Sequence, residues 1–275
     1  MRQEISITLT APAGPRQLRL LLDAAQMSQR FMLNDLTAGQ LYESETSNFI
    51  GSILQPGDTF VDIGAHVGYF SMLASQLVGP TGAVYSFEPE ISNYSHLLEH
   101  IEVNGVSNVR PMHMAVGAAP AIAEFFVNAD NDGGHALWEV GRHPFNERSR
   151  QSPVTRKVFV TSLDHIFEGR DMRTLKAIKI DAEGAEFAIL VGARELLRRH
   201  RVPFIVAEIN RFGLESMGAS ERVVRETMTA LGYETYLFQP GQSFIQRLQP
   251  DESPETDYVF NVLFRHPDAP ALAAA

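Results

Sequence analysis

Residues 59–71 read TFVDIGAHVGYFS, and this stretch decides the fold. Its first part, residues 59–63, is an apolar run typical of a buried strand. Over residues 70–77 apolar side chains recur every third or fourth position, which is typical of a helix that packs on a sheet. Between the two segments, Gly64 and Gly68 let the backbone turn sharply and approach a ligand closely. A strand that turns through glycines into a helix indicates a loop that binds a nucleotide-like cofactor.

The rest of the chain repeats this alternation of strand and helix. Six further apolar runs are predicted to be strands, at residues 83–87, 109–116, 175–180, 204–209, 233–238 and 258–264. The alternation predicts the α/β class, with helices on both faces of a mostly parallel sheet of seven strands. Pro111 removes a backbone donor from the third strand, so we expect that strand at an edge of the sheet.

The length of 275 residues favours one enlarged domain with additions. Two runs before the first strand, residues 17–32 and 41–54, look helical, and residues 239–255 are predicted to form a long loop. The expected divisions are a helical cap that gates the substrate site at 1–56, a main domain at 57–266 with an insertion at about 117–173, and a flexible tail at 267–275. We expect the insertion to lie over the carboxyl ends of the strands.

The composition limits the kinds of partner. The chain has 33 acidic and 23 basic residues, and the net charge of −10 disfavours binding to nucleic acid or to an anionic membrane. Cysteine is absent, which excludes disulfides, thiolate metal sites and a thiol nucleophile. No stretch resembles a signal peptide or approaches the roughly 18 apolar residues of a spanning helix. We therefore expect a soluble cytoplasmic protein whose partner is a small molecule.

Acidic residues lie at or just past the ends of four predicted strands, at the edge where open α/β sheets bind ligands. Asp62 ends the first strand, and a carboxylate there suits a cofactor that carries an ammonium group. Glu88 ends the second strand, where it can accept hydrogen bonds from ribose hydroxyls. Asp181 lies at the tip of a central strand and is the better functional candidate of its segment. Glu208 emerges from the next apolar strand and needs a partner or solvent.

Other polar motifs have a structural interpretation. Glu183 and Glu186 are predicted in the first turn of a helix, where the helix dipole stabilises carboxylates. Glu88 can have the same role at the start of the helix that follows it. The segment HLLEH at 96–100 matches an inverted zinc signature. We expect its polar side chains in solvent, without a third ligand, and residues 130–134 to form a turn. No metal site is therefore predicted.

Six segments together resemble the FkbM-type S-adenosylmethionine-dependent methyltransferases. In order they are DIGAHVGYFS at 62–71, SFEPE at 86–90, AVG at 115–117, TSLD at 161–164, KIDAEGAEFAILVGA at 179–193 and VAEIN at 206–210. The resemblance covers about residues 57–210. It implies a Rossmann-like methyltransferase fold with strand order 3-2-1-4-5-7-6, the last strand antiparallel, and S-adenosylmethionine as cofactor.

The resemblance also implies which residues bind the cofactor. They are Asp62, Gly64, Ala65 and Gly68 at the methionine end, Glu88 with Pro89 at the ribose, Ala115 at the adenine, and additionally His66 and Asp181. His66 stands where the family often has Asn, which leaves its polar contact open.

The implied reaction is O-methylation of a hydroxyl on a small sugar-containing or natural-product acceptor, as in secondary metabolism. Such a transfer needs in-line positioning and a base for the hydroxyl proton. The candidate bases are Asp181, Glu208 and, in the insertion, His135. Two alternatives are a nicotinamide oxidoreductase, disfavoured because the glycine spacing is not G-x-G-x-x-G, and a non-catalytic cofactor-binding protein. Both a monomer and a homo-oligomer are compatible with the sequence.

Overall fold

The computed structural model describes residues 2–11, 14–238, 245–252, 254, 256 and 258–270, and its chain begins with a β-hairpin. Strand β1 (Arg2–Ala11) pairs antiparallel with β2 (Gly14–Asp23) along its whole length. Two helices follow, α1 (Met27–Thr37) and α2 (Ser44–Ile53). The N-terminal segment therefore combines a hairpin with the helices that were expected of a cap.

The hairpin corrects the first predicted helix. Along β2 every second residue is fully buried, namely Leu18, Leu20 and Leu22, and this is the period of a strand rather than of a helix. The helix predicted over 17–32 is thus wrong as far as Asp23 and holds only from Met27. The helix predicted within 41–54 is confirmed.

The decisive stretch forms the first strand, loop and helix of the large sheet. The elements of this half are β3 (Thr59–Ile63), α3 (Tyr69–Val78), β4 (Ala83–Phe87), α4 (Ile91–Asn104) and β5 (Val109–Met112). The three strands are parallel neighbours. The edge position predicted for Pro111 is confirmed, because β5 ends the sheet on this side.

The insertion forms a small sheet of its own. Its elements are β6 (Ala115–Val116), β7 (Ala121–Val127), α5 (Glu147–Gln151), β8 (Val154–Thr161) and α6 (Leu163–Ile166). The strands lie in the order β6-β8-β7, and the loop between β7 and α5 reaches the carboxyl end of the large sheet.

The second half of the large sheet completes the predicted order. Its elements are β9 (Leu175–Ile180), α7 (Glu186–Val191), α8 (Arg194–His200), β10 (Phe204–Asn210), α9 (Arg211–Ser216), α10 (Glu221–Ala230), β11 (Glu234–Phe238), β12 (Ile245–Leu248) and β13 (Val259–Arg265). The strands lie in the order β12-β11-β13-β10-β9-β3-β4-β5. Without β12 this is the expected order, and β13 is antiparallel to both neighbours.

Strand β12 adds an eighth strand to the predicted seven. It lies within the segment predicted as a loop and pairs antiparallel with β11, whose free edge offers unpaired backbone groups. Residues 239–244, 253, 255 and 271–275, which belong to the predicted loop and tail, lie outside the described residues. In the part of the chain that is described, no helix has both the length and the apolar character needed to cross a membrane.

The hairpin also covers the zinc-like motif on α4, whose polar side chains were expected in solvent. That expectation is wrong, since His96 and His100 are both buried. Nδ1 of His100 lies 2.6 Å from the carbonyl oxygen of Val67, and Nε2 accepts a hydrogen bond from the N–H of Leu21 at 2.8 Å. Burial lowers the pKa of His100. Both nitrogens are occupied, so the ring joins the hairpin to the glycine loop.

Candidate active site

A cavity of about 420 Å³ opens above the carboxyl ends of β3, β4, β9 and β10. This volume lies within the roughly 300–1,000 Å³ typical of small-molecule sites, and its place is the switch point of the sheet. Nine predicted site residues line the cavity: Gly64, Ala65, His66, Glu88, Pro89, Ala115, His135, Asp181 and Glu208. The structure therefore brings most of the predicted cofactor set and all three candidate bases together.

The glycine loop is held against the ends of both neighbouring strands. The N–H groups of Gly64 and Ala65 each donate to the carbonyl oxygen of Phe87 at 3.0 Å. Gly64 has a φ of 75°, and an added Cβ would overlap the carbonyl oxygen of Asp181. Only glycine permits this approach. The close packing places Asp181 beside the loop.

Two predicted cofactor residues, Asp62 and Gly68, do not line the cavity. Asp62 is 1% exposed, and its Oδ2 accepts a hydrogen bond from the hydroxyl of Ser71 at 2.5 Å. Gly68 has a φ of 91° and packs against Leu97 of α4. A β-strand points successive side chains to opposite faces, which turns Asp62 toward α3. Both residues therefore shape the loop from behind.

Glu88 presents a buried carboxylate to the cavity. Its Oε2 accepts the N–H of His66 and its Oε1 accepts the N–H of Glu90, both at 2.8 Å. Burial raises the pKa of Glu88 to about 8, although the two backbone hydrogen bonds oppose this. Each oxygen keeps a lone pair for a further donor. The side chain can therefore accept hydrogen bonds from a pair of hydroxyl groups, as predicted for a ribose.

Asp132 of the insertion supports a residue of the cavity, and the sequence did not reveal this contact. Its Oδ2 lies 2.9 Å from Nε2 of His66, and its Oδ1 accepts the N–H of Ser28 at 2.7 Å. Gln29 donates to Oδ2 at 3.1 Å, and Asn93 donates to the backbone carbonyl at 2.9 Å. Burial alone would raise the pKa of Asp132, but the hydrogen bonds lower it to about 2. One carboxylate thus joins α1, the glycine loop and the insertion.

His135 was a candidate base, and its geometry argues against that role. Its Nδ1 accepts the backbone N–H of Asn128 at 2.8 Å. Burial lowers the pKa of His135 to about 4. In the neutral ring Nε2 then carries the proton, so no lone pair is left to accept one from a substrate. His135 can offer the cavity a hydrogen-bond donor.

The other two candidate bases belong to an acidic cluster. One oxygen from each of Asp181, Glu183 and Glu208 lies within 4.8 Å of the other two. Burial and the negative charges of its neighbours raise the pKa of Glu208 well above its usual range, and they raise that of Glu183 to about 8. Lys179 adjoins the cluster, with Nζ 2.9 Å from Oδ2 of Asp181 and 4.5 Å from the ring centre of Phe70.

Glu183 was predicted to lie in a helical turn, but α7 begins only at Glu186. The backbone of Glu183 has a φ of 51°, and its carbonyl oxygen accepts the indole N–H of Trp138 at 2.6 Å. Its Oε2 accepts a hydrogen bond from Asn210 at 2.5 Å. Glu186 has the structural role expected of it, because it is fully buried and accepts the N–H of Gly184 at 2.9 Å.

Residues 62–235 match the family described as the Methyltransferase FkbM domain, which is more than half of the chain. The chain belongs to the FkbM methyltransferase family. Its cofactor is S-adenosylmethionine, as the sequence resemblance implied. This assignment also replaces the nicotinamide oxidoreductase alternative.

Several solved structures are similar to this FkbM-family methyltransferase. A methyltransferase FkbM from Methylobacillus flagellatus KT is 15% identical with a TM-score of 0.45, over 81% of this chain and 51% of that chain. A putative rRNA-methylase from Clostridium thermocellum is 13% identical with a TM-score of 0.45, over 82% and 95%. A SAM-dependent O-methyltransferase from Thermotoga maritima is 10% identical with a TM-score of 0.44, over 94% and 77%. The chain spans about half the length of the first of these, and no curated protein sequence matches it.

The residues of the cavity fit the cofactor of this methyltransferase. The free lone pairs of Glu88 suit the ribose, and the carboxylate of Asp181 beside the glycine loop suits the ammonium group. Near Ala115 the wall is apolar and suits the adenine, with Met114, Val116, Phe125 and Leu137. His66 and Pro89 also line the cavity.

Proposed function

We propose that this protein transfers a methyl group from S-adenosylmethionine to a hydroxyl of a small sugar-containing or natural-product acceptor. The observation that carries the proposal is that Glu88, Asp181 and Glu208 line one cavity, with Glu88 at the end of β4 and the other two at the ends of β9 and β10, across β3. Bound there, the cofactor supplies an electrophilic methyl group on a sulfonium. A cleft of this size, in a chain with a net charge of −10, favours a small acceptor over a nucleic acid.

The protein's own residues position the reactants and remove the proton. Glu88 holds the ribose hydroxyls, while Asp181, fixed by Lys179, faces the ammonium group. Glu208 lines the same cavity, where its carboxylate can receive the proton that an attacking hydroxyl loses. We therefore assign the proton transfer to Glu208 rather than to His135. An oxygen acceptor is compatible with this arrangement, because a hydroxyl must lose its proton as it attacks and Glu208 offers a carboxylate in the same cavity.

Product analysis tests the proposal. The protein is incubated with methyl-labelled S-adenosylmethionine and separate panels of hydroxylated compounds, amines and RNA, and the products are identified by mass spectrometry. We expect label on an oxygen of a small compound, and at least tenfold slower turnover in Glu208→Gln. The matched control is Glu226→Gln, because Glu226 is exposed on α10. Label on nitrogen or RNA would refute the acceptor class, and donor binding without turnover on any panel would favour the non-catalytic alternative.

A further inference from the structure

Two apolar side chains flank the opening of the cavity. Of the described residues that line it, Phe31 of α1 and Val259 of β13 are the two most exposed, at 50% and 44%. A side chain that lines a cavity and is also exposed to solvent lies where the cavity opens. The charged residues among the described lining, Glu208 included, are all less exposed. The opening is therefore apolar, whereas the carboxylates lie further inside.

The apolar surface continues outside the cavity along α1. Met27 lies one helical turn before Phe31 and is also exposed, and residues four positions apart share a face of a helix. Single exposed apolar side chains are common on protein surfaces. An apolar strip that leads into a ligand cavity is different, because contiguous apolar surface of this kind marks a binding region.

The pairing of β13 with β10 relates Val259 to the candidate base. Val259 lies directly opposite Asn210, the last residue of β10, and Glu208 lies two positions before Asn210. Alternate residues of a strand share a face of the sheet, and so do residues directly opposite each other. Val259 and Glu208 are thus on one face, with Val259 about 7 Å further toward the carboxyl end of β10.

The volume of the cavity leaves little room for the body of an acceptor. About 420 Å³ is enough for one drug-sized ligand, and S-adenosylmethionine is itself of that size. When the cofactor is bound, the cavity has space beside Glu208 for the part of the acceptor that carries the reacting hydroxyl. The rest of the acceptor then lies at the opening, against Phe31 and Val259.

We propose that the acceptor is amphipathic: its hydroxyl reaches Glu208, and an alkyl or aromatic part about 7 Å away packs on Phe31 and Val259. The inference deepens the proposed function and rests on it for the reaction at the hydroxyl. Burial of the apolar part supplies affinity, so free sugars and other polyols are poor acceptors. Phe31 and Val259 determine specificity and take no part in the transfer itself.

A series of n-alkyl β-glucosides, from methyl to hexyl, tests this apolar subsite without any turnover. Their binding to the full chain, saturated with S-adenosylhomocysteine, is measured by ligand-observed NMR below the concentrations at which they form micelles. In the wild type we expect affinity to rise with chain length, by up to about fourfold for each buried methylene. Phe31→Ser and Val259→Ser should each flatten this dependence, whereas Phe31→Leu keeps an apolar side chain and should retain it. The control is Phe159→Ser, at an exposed position on β8 away from the cavity lining, which should bind as the wild type does.

The outcomes separate this proposal from the proposed function. Equal affinity for the methyl and hexyl glucosides, or binding of neither, overturns the apolar subsite. A dependence on chain length that persists in Phe31→Ser and Val259→Ser also overturns it, since the chain then binds elsewhere. If circular dichroism shows that Val259→Ser is unfolded, the comparison of Phe31→Ser with Phe31→Leu decides in its place.

Turnover of methyl-labelled donor on the same samples completes the test. Methylation of free glucose as fast as of hexyl glucoside overturns the amphipathic acceptor alone. Transfer to nitrogen or to RNA, or failure to bind the donor, would instead count against the proposed function.

Discussion

The carboxylate of Asp132 lies 2.9 Å from Nε2 of His66 and thereby ties the insertion to the glycine loop. The same carboxylate accepts hydrogen bonds from Ser28 and Gln29 at the start of α1. The loop that lies behind the cofactor, the N-terminal segment and the insertion therefore share one buried charged group. Because these three segments surround the cavity, we expect the group to contribute both to stability and to donor affinity.

Asp132→Asn should lower the free energy of unfolding by about 1–3 kcal/mol at pH 7, since a buried amide cannot satisfy all the donors around it. The pKa of Asp132 is lowered to about 2 in the folded protein. Because the pKa of this acid is lower in the folded protein than in the unfolded chain, ionised Asp132 stabilises the fold at pH values above the unfolded pKa near 3.8. This contribution is lost as the pH falls toward 2. Urea unfolding of both proteins should show the difference shrinking between pH 4 and pH 2. Asp251→Asn, at an exposed position, should match the wild type throughout.

Glu88→Gln should weaken the binding of S-adenosylmethionine by about ten- to a hundredfold, because leaving a buried hydrogen-bonding group unsatisfied costs about 1–3 kcal/mol. In the variant, the N–H₂ group of the amide also faces one of the two backbone N–H donors, those of His66 and Glu90, and that donor loses its acceptor. Calorimetric titration measures the change. Glu124→Gln, exposed on β7, is the control. Undiminished affinity in Glu88→Gln would remove the ribose assignment.

The buried Glu186 gives the donor-free protein a pH dependence whose sign can be stated. Burial raises its pKa to about 7. The folded protein therefore keeps a proton that the unfolded chain releases above about 4.5, and stability is lost as the pH rises from there to about 7. Relative to Glu186→Gln, the wild type should lose about 1 kcal/mol per pH unit across this window. Urea unfolding at pH 5, 6 and 7 measures it, and a constant difference would contradict the protonated state.

His135 should remain neutral at all pH values near neutrality, with its proton on Nε2. The reason is that Nδ1 accepts the N–H of Asn128 and that burial lowers the ring's pKa to about 4. Nitrogen-15 NMR of the imidazole reports both the tautomer and the titration midpoint. A midpoint near 6.5, or a proton on Nδ1, would restore His135 as a candidate base.

The sequence predicted those parts of the molecule whose signals are local. The glycine loop, the acids at the ends of β4, β9 and β10, and the edge position of Pro111 each follow from a few adjacent residues. The hairpin was missed because the leucines of β2 lie in an apolar run whose spacing also fits a helix. Only the pairing with β1, which is not visible in the local sequence, selects the two-residue period of a strand. Asp132 was missed because its partner His66 is 66 positions away and no local pattern joins them. Lys179 did leave a signal, since a cation buried within an apolar central strand requires a buried partner.

Gly64→Ala tests whether the close packing of the loop against Asp181 supports the fold. Gly64 and Gly105 both have a positive φ, but an alanine Cβ at 105 meets no atom within 4 Å, whereas at 64 it overlaps the backbone carbonyl of Asp181. The conformational cost common to both is about 1–2 kcal/mol. The carbonyl belongs to the end of a central strand and cannot move alone. Gly64→Ala should therefore lower the free energy of unfolding by more than this common cost and should also weaken donor binding. Gly105→Ala should lower the free energy of unfolding by the common cost alone and leave donor binding unchanged. Equal destabilisation of the two variants in urea would mean that the loop and β9 can separate, and the position of Asp181 at the cofactor would then lack its structural support.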